Sequence, residues 1–513
     1  MDSIELSLFS SRISAICDEM GAVLQRAAFS PNIKDRLDYS CAIFDAAGRM
    51  CAQAAHIPVH LGSMAFAMKS IVDDQSWSNG DMLILNDPYL GGTHLPDVTL
   101  ISPVFVGEAL LGFVVNRAHH ADIGANSPGS MPVSRTLSDE GMIIPPSLIM
   151  KQGQRNADLM ARLLSGVTNT TQSEGDFSAQ ISANQLGLQR LRGLIKSMGV
   201  GPYRNALCAL NAYAERLAQS TLADIPDGEY SFSDVMDDDG MGTSDIPLCV
   251  RLSVSDHQIA VDFTGTAAQV VGNINCPLSV AAAGVYYVFR CLMPASTPAC
   301  AGSFKRISVY APEGSLLNAN RPAAVAAGNV ETSTRVVDVV MGALAQAIPD
   351  KMAAASQGSM NNIAMGARRD KASWNYYETL GGGMGASAQG RGLSAVQTHM
   401  TNTLNTPIES LEIHFPVRVS RYEIRDASGG LGLYRGGHGL IREFEFLDQA
   451  QVTLLTERRT HTAWGLAGGQ PGLPGENNYN GQRLPPKVTL TVQAGDKLCI
   501  KTPGGGGYAW GKR

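Results

Sequence analysis

The apolar residues of this chain change their spacing along its length, and that change limits the fold more than any other feature. From Ile4 to Ala28, Leu6, Ile13, Ile16, Met20, Val23, Leu24 and Ala27 recur near the period of one helix face. A second helical stretch runs from Gly175 to about Ala223, with Ile181, Leu186, Leu188, Leu191 and Ile195 on one face and Gly201-Pro202 dividing two helices. Between them the pattern is that of strands: a hairpin through Asp38–Phe44, a turn at Asp45–Gly48 and Met50–Gln53, then runs at Met82–Leu85, Val98–Val106 and Leu110–Val115. Beyond Gly228 alternation returns at Cys249–Val254, Ile259–Phe263 and Ile307–Tyr310, interrupted by helices near Leu278–Leu292 and Ser333–Ala347. The last third is rich in glycine and strands. The expected fold is mixed α+β and strand-rich, with an N-terminal helix, an α+β region that holds the unusual polar residues, and a glycine-rich, β-heavy C-terminal part. The Gly201-Pro202 joint divides an N-terminal α+β region, 1–200, from a strand-rich region with interspersed helices, 201–513. No fixed-period repeat is present, which excludes solenoids and propellers.

At 513 residues the chain exceeds the size of one hydrophobic core. A net charge of -6, with no basic block interleaved with aromatics, argues against nucleic acid and acidic membranes as partners. The longest apolar run, around Val280–Phe289, is too short to span a bilayer. Met1–Glu5 lacks the features of a secretory signal, so a cytoplasmic location is expected. The nine cysteines form no C-x-x-C pair and read as reduced, mostly buried thiols; Cys41 and Cys51 read as two buried small residues.

Two glycine runs invite a phosphate-loop reading. Gly506–Lys512 matches G-x-x-x-x-G-K by count, but no helix follows to supply the amide cradle. Gly383-Met-Gly385-Ala-Ser-Ala388 has no strand before it and no βαβ unit around it. Both read as turns. A G-x-S-x-G elbow is also missing.

The histidines carry more chemistry. His56, His60, His94 and the His119-His120 pair fall among Asp38, Asp87, Asp97 and Asp122, and a metal ion needs such groups to converge from different strands. Pro96 keeps Thr93–Asp97 out of a regular helix, making His94 and Asp97 loop ligands if they are ligands at all. Neighbours in an extended chain face opposite sides, so only one of His119 and His120 can reach a shared ion. His56 and His60, around Pro58, fit a packed loop and the rim of a site equally. Asp87, before Pro88, is favoured as a turn residue. Downstream, Glu409 and Glu412 would share a helix face, with Asn402 and Thr406 beside them, and a solvated helix end explains them almost as well. Arg335 is read as a surface ion pair in preference to a holder of an anionic group.

Eight stretches, "LDYSCAIFDAAGRM", "AHIPVHLGSM", "NDPYLGGTHLPDVT", "HHADIGANSPGSMP", "GDFSAQISANQLGLQRL", "YETLGGGMGA", "TNTLNTPIESLE" and "TPGGGGY", resemble the hydantoinase B/5-oxoprolinase family across residues 35–508. The resemblance implies a metal-binding subunit of an ATP-dependent cyclic amide hydrolase. It places the metal ligands at Asp38, His94, Asp97 and His119, with His120 and Asp122 beside them to orient a ring or serve the reaction. It implies a divalent metal (Zn, Mn or Fe) here, and ATP with Mg on a hydantoinase A-like ATP-binding subunit in a hetero-oligomer. The substrate would be a small cyclic amide such as a hydantoin, 5-oxoproline or a lactam. A subunit of an ATP-dependent ketone carboxylase is the alternative within the same superfamily.

Overall fold

The computed structural model describes residues 1–510 apart from 56, 61 and 369–372. It is mixed α+β. The N-terminal helix Ser3–Ala27 starts on a capping box in which Asp2 accepts from the Glu5 amide at 2.8 Å and Glu5 accepts from the Asp2 amide at 3.0 Å. Seven strands follow: β1 (Tyr39–Asp45), β2 (Met50–Ala55), β3 (Met82–Leu85), β4 (Asp97–Val106), β5 (Ala109–His119), β6 (Ser147–Lys151) and β7 (Gln154–Arg155). They form one antiparallel sheet in the order β2-β1-β5-β4-β3-β6-β7.

Both faces of this sheet are covered, and strand alternation sorts the side chains between them. Cys41, Ile43, Val104 and Val114 pack with Phe9, Ile13, Met20 and Leu24 of the first helix and with Leu191 and Tyr203 from the helices Thr170–Met198 and Val200–Leu222. Ala42, Phe44, Leu83, Ile101, Phe113 and Val115 face the other way, into a core shared with the helices Leu278–Leu292 and Ser333–Ala347. The break between the paired long helices falls at Gly199, at φ +86°, so Gly201 and Pro202 sit in the first turn of the second helix. Cys41 and Cys51 are buried free thiols with no disulfide between them.

Three further sheets complete the chain. One holds Gly228–Asp238, Ser244–Ser255, Gln258–Asp262 and Ile307–Tyr310, the last two parallel. The others are a four-stranded sheet built on Asn362–Ala367 and Ala450–Leu455, and a five-stranded sheet built on Gly439–Phe446 and Lys497–Lys501. Among the described residues no helix is long and apolar enough to cross a membrane.

The glycine runs depart in part from the expectation of turns: a turn begins only at Ala388 in the first run, and residues 511 and 512 of the second lie outside the described residues. Residues 381–385 and 504–507 are irregular threads packed backbone against backbone with parts of 429–437 and 465–472, the last of which turns at Ala467-Gly468. Gly383 N–H donates to Pro503 O at 3.0 Å, Gly437 N–H to Met384 O at 2.8 Å, and Gly505 N–H to Gly437 O at 3.0 Å. A Cβ on Gly383 would sit 2.1 Å from Gly437 O, and one on Gly505 would sit 2.2 Å from Met384 O. Close approach, and not an unusual φ, is what demands glycine there.

Candidate metal centre

Three neighbouring strands bring the donors to one end of the first sheet. Asp97, the first residue of β4, pairs directly with His119, the last of β5. Asp38 immediately precedes β1, and its carbonyl accepts from the His119 amide at 3.0 Å. His94 reaches the same point through the Gly91-Gly92 turn, where Gly91 has φ +83° and a Cβ would lie 2.2 Å from the Ala67 nitrogen. The chain then folds back, with Asp97 N–H donating to His94 O at 3.1 Å. His60 arrives from the short turn Pro58–His60.

Two overlapping trios result: His94, Asp97 and His119, and Asp38, His60 and Asp97. In each, the donor atoms lie within 4.8 Å of one another. All five side chains are 0% to 4% exposed. Three atoms in this interior have no hydrogen-bond partner: His94 Nε2, His119 Nε2 and Asp97 Oδ1. Leaving a buried polar atom unpaired costs about 1–3 kcal/mol, so three at one point indicate a group that completes them. Imidazole nitrogen with carboxylate oxygen suits Zn, Mn or Fe.

Each donor is held from behind. His94 Nδ1 lies 3.3 Å from Ala326 O, His119 Nδ1 lies 3.0 Å from the Asn32 carboxamide, and the His119 ring stacks on Tyr377. Asp97 Oδ2 accepts from the Thr93 hydroxyl and faces His60 Nε2 at 3.3 Å and His94 Nε2 at 3.4 Å. For His119 Nε2 to offer a lone pair, Nδ1 must carry the proton, which the Asn32 carboxamide accepts through its oxygen once turned about its last torsion.

Burial is the largest influence on every titrating group here. It pushes Asp38 up to about 7, with Arg36 opposing and Asp97 adding to the rise. Burial also disfavours the Asp97 anion, but His94 and His60 outweigh it and hold that carboxyl well below its usual range. His60 and His119 are lowered by burial, His119 strongly. At His94 burial is overcome by Asp97, and the imidazole is raised. The cluster therefore has a firm anion at Asp97 and a second carboxyl, Asp38, that ionises near neutrality.

Not every expected residue is drawn in. His120 faces the opposite side from His119, packs on Phe177 and meets Gln180 Oε1 at 2.9 Å. Asp122 accepts from Gly124 N–H, Ser130 Oγ, Thr168 N–H and Asn375 Nδ2, and joins neither trio. Asp87 caps the turn Pro88–Leu90, accepting from Tyr89 N–H at 3.0 Å, and pairs with Arg321. His56 lies outside the described residues. Glu409 and Glu412 are exposed on the helix Ile408–His414; in the segment before it Asn402 is exposed and Thr406 buried. Arg335 is an interior ion pair and not a surface one: it is fully buried against Asp234, Glu457 and the Val235 carbonyl.

Sequence reasoning passed over the amides that fasten the sheet to the helix Thr170–Met198. Gln180 Nε2 donates to Val98 O and Asn116 Oδ1, both at 2.9 Å, and Asn184 Nδ2 donates to Leu100 O at 3.1 Å. Asp176 accepts from the Phe29 and Ser30 amides and so fixes the turn that carries Asn32. Their signal was present: positions 176, 180 and 184 recur every fourth residue on one helix face.

The sequence family described as Hydantoinase B/oxoprolinase matches residues 2–511. The 5-oxoprolinase 1 of Arabidopsis thaliana is 39% identical over 541 residues, covering 99% of this chain and 42% of that protein. A putative D-/L-hydantoinase component, the B-type chain of a Pseudomonas species (strain NS671), is 31% identical over 534 residues, covering 99% of this chain and 90% of that protein. The crystal structure of the ATP-dependent caprolactamase from Pseudomonas jessenii superposes with a TM-score of 0.93 at 28% identity, covering 99% of this chain and 91% of that one. The chain thus spans less than half the length of the 5-oxoprolinase.

Proposed function

Since the chain belongs to the hydantoinase B/oxoprolinase family, we propose that it is the metal-bearing component of an ATP-dependent enzyme that opens a cyclic amide: a hydantoin, 5-oxoproline or a lactam. One observation carries this reading, the convergence of His94, Asp97 and His119 with unpaired atoms in a buried interior.

A cyclic amide resists water because its nitrogen lone pair is delocalised into the carbonyl. Transfer of a phosphoryl group from ATP to the amide oxygen ends that delocalisation, makes the oxygen a leaving group and releases ADP. In this proposal ATP and its Mg ion bind a hydantoinase A-like partner subunit. A related chain of similar length, named as one component of a hydantoinase, supports that division. A divalent Zn, Mn or Fe ion at the centre would polarise a carbonyl or lower the pKa of bound water from ~15.7 toward ~7.

His94 and His119 would present Nε2 and Asp97 its free oxygen, with Asp38 as the fourth donor. Asn32 and Ala326 hold the two rings in register. His120 and Asp122 act at one remove, fastening the chain just beyond the end of β5. The assembly is a cytoplasmic hetero-oligomer.

The test is coexpression with the hydantoinase A-like partner, followed by elemental analysis and assay. About one transition metal per chain is expected, with ADP formed together with ring-opened product. His94→Ala should lose both metal and turnover while staying folded. Ring opening by this chain without ATP would overturn the proposal. So would ATP hydrolysis that demands a ketone and bicarbonate and ignores cyclic amides.

A further inference from the structure

Building on the metal centre proposed above, we infer that His60 is a positioning residue that clamps Asp97, and that it is not a ligand of a second ion. Asp97 is the one residue common to both trios. A carboxylate can rotate and exchange its oxygens, yet here the two are unlike: Oδ2 takes the Thr93 hydroxyl and His60 Nε2, whereas Oδ1 has no partner. Two donors on one oxygen fix which oxygen is offered.

The other side of the imidazole decides what His60 can do. Its Nδ1 lies 3.0 Å from Ser40 Oγ on β1. A serine hydroxyl donating there leaves the proton on Nε2, the nitrogen facing Asp97. An Nε2 that donates a proton has no lone pair for a metal, so the donor and ligand roles exclude each other. The backbone of this turn is also anchored, because Ser63 Oγ lies 3.2 Å from Val59 O and 3.3 Å from His60 O and accepts from Arg117 Nη1 at 2.8 Å.

Charge points the same way. Arg36 and Arg117 are fully buried beside the two carboxylates. Two guanidiniums and one divalent ion already exceed the charge of Asp38 and Asp97. A second divalent ion at Asp38, His60 and Asp97 would add two more positive charges to a volume with no further anion among these donors. His60 thus completes a set in which each donor of the first trio has its own holder: Ala326 for His94, Asn32 for His119, His60 for Asp97.

The test measures metal binding without turnover. Apo protein is titrated with Mn(II), with free ion followed by electron paramagnetic resonance, for the wild type, His60→Ala, His60→Gln and Ser40→Ala, each checked for a cooperative melt. The inference expects one ion per chain in all four, affinity about 10–100-fold weaker in His60→Ala, recovery in His60→Gln, whose amide can still donate, and an intermediate loss in Ser40→Ala. If His60→Ala does not fold, the Gln and Ser40 variants still decide. Unchanged affinity in His60→Ala and Ser40→Ala overturns the inference and leaves the metal centre standing. Two ions in the wild type and one in His60→Ala also overturns it, by making His60 a ligand. No Mn(II) and no other transition metal bound by the wild type would remove the centre itself and this inference with it.

Discussion

The Tyr377 ring lies parallel to the His119 imidazole, with centroids 5.0 Å and planes 4° apart. Its hydroxyl donates to Asn362 Oδ1 at 2.5 Å, and its carbonyl accepts from Arg36 Nη1 at 2.9 Å. A residue of the C-terminal half therefore braces a donor of the N-terminal sheet. Tyr377→Phe keeps the stack and strands one oxygen, so unfolding free energy should drop by about 1–3 kcal/mol with metal content unchanged. Tyr377→Ala should lose about 3–5 kcal/mol and also weaken metal binding. Denaturant titration beside elemental analysis separates the two effects.

Glu140 gives a pH signature. Burial pushes its carboxyl up to about 7, with the Ala326 amide and the Ser134 hydroxyl opposing. The folded protein then holds this proton more tightly than the unfolded chain does, so Glu140 erodes stability as pH rises through the window from about 4.5 to 7. Glu140→Gln removes that titration. Its stability relative to wild type should improve by on the order of 3 kcal/mol between about pH 5 and pH 8 in urea unfolding, and a difference independent of pH would refute the assignment.

A pair of glycines should respond with opposite signs. Gly383→Ala places a methyl 2.1 Å from a backbone oxygen that belongs to another thread and cannot yield. A loss above about 4 kcal/mol, or insoluble protein, is expected. Gly193 is exposed on the helix Thr170–Met198 with nothing within 4 Å of its Cβ position, so Gly193→Ala should stabilise by about 0.5–1 kcal/mol. Thermal melts of the two variants check both.

Arg335→Ala would remove one of two cationic partners from Glu457, which keeps Lys487, and from Asp234, which keeps Arg458. A cost of about 1.5–3 kcal/mol is expected, with KM unchanged in whatever protein folds. A large rise in KM at unchanged stability would restore the reading of Arg335 as a substrate anchor.

The parts of this fold legible in the sequence are those where burial imposes a period. Ser3–Ala27 buries one apolar face through Phe9, Ile13, Ile16, Met20 and Leu24. The β1 hairpin was legible because Gly48 marks its turn at φ +72°. Asp97 and His119 were visible as chemistry at strand ends, although their direct pairing depends on strand order, which no local pattern encodes. His60 stayed ambiguous because Pro58 and its apolar neighbours describe a packed loop equally well. The glycine threads were misread because a residue without a side chain leaves no burial pattern, and their partners are distant in the chain. Arg335 was misplaced for a related reason: a charged residue reads as exposed until tertiary partners such as Glu457 are known.

The threads also bear on how the molecule is made. Glycine surrenders more backbone freedom on ordering than any other residue, and residues 381–385 are packed against residues 504–507, with Gly505 N–H reaching Gly437 O and Gly506 N–H reaching Ala355 O. A ribosome must deliver the far end of the chain before the earlier glycine segments have anything to lie against. The first sheet and its helices can condense during synthesis, whereas this bundle has to wait until residues 504–507 have emerged.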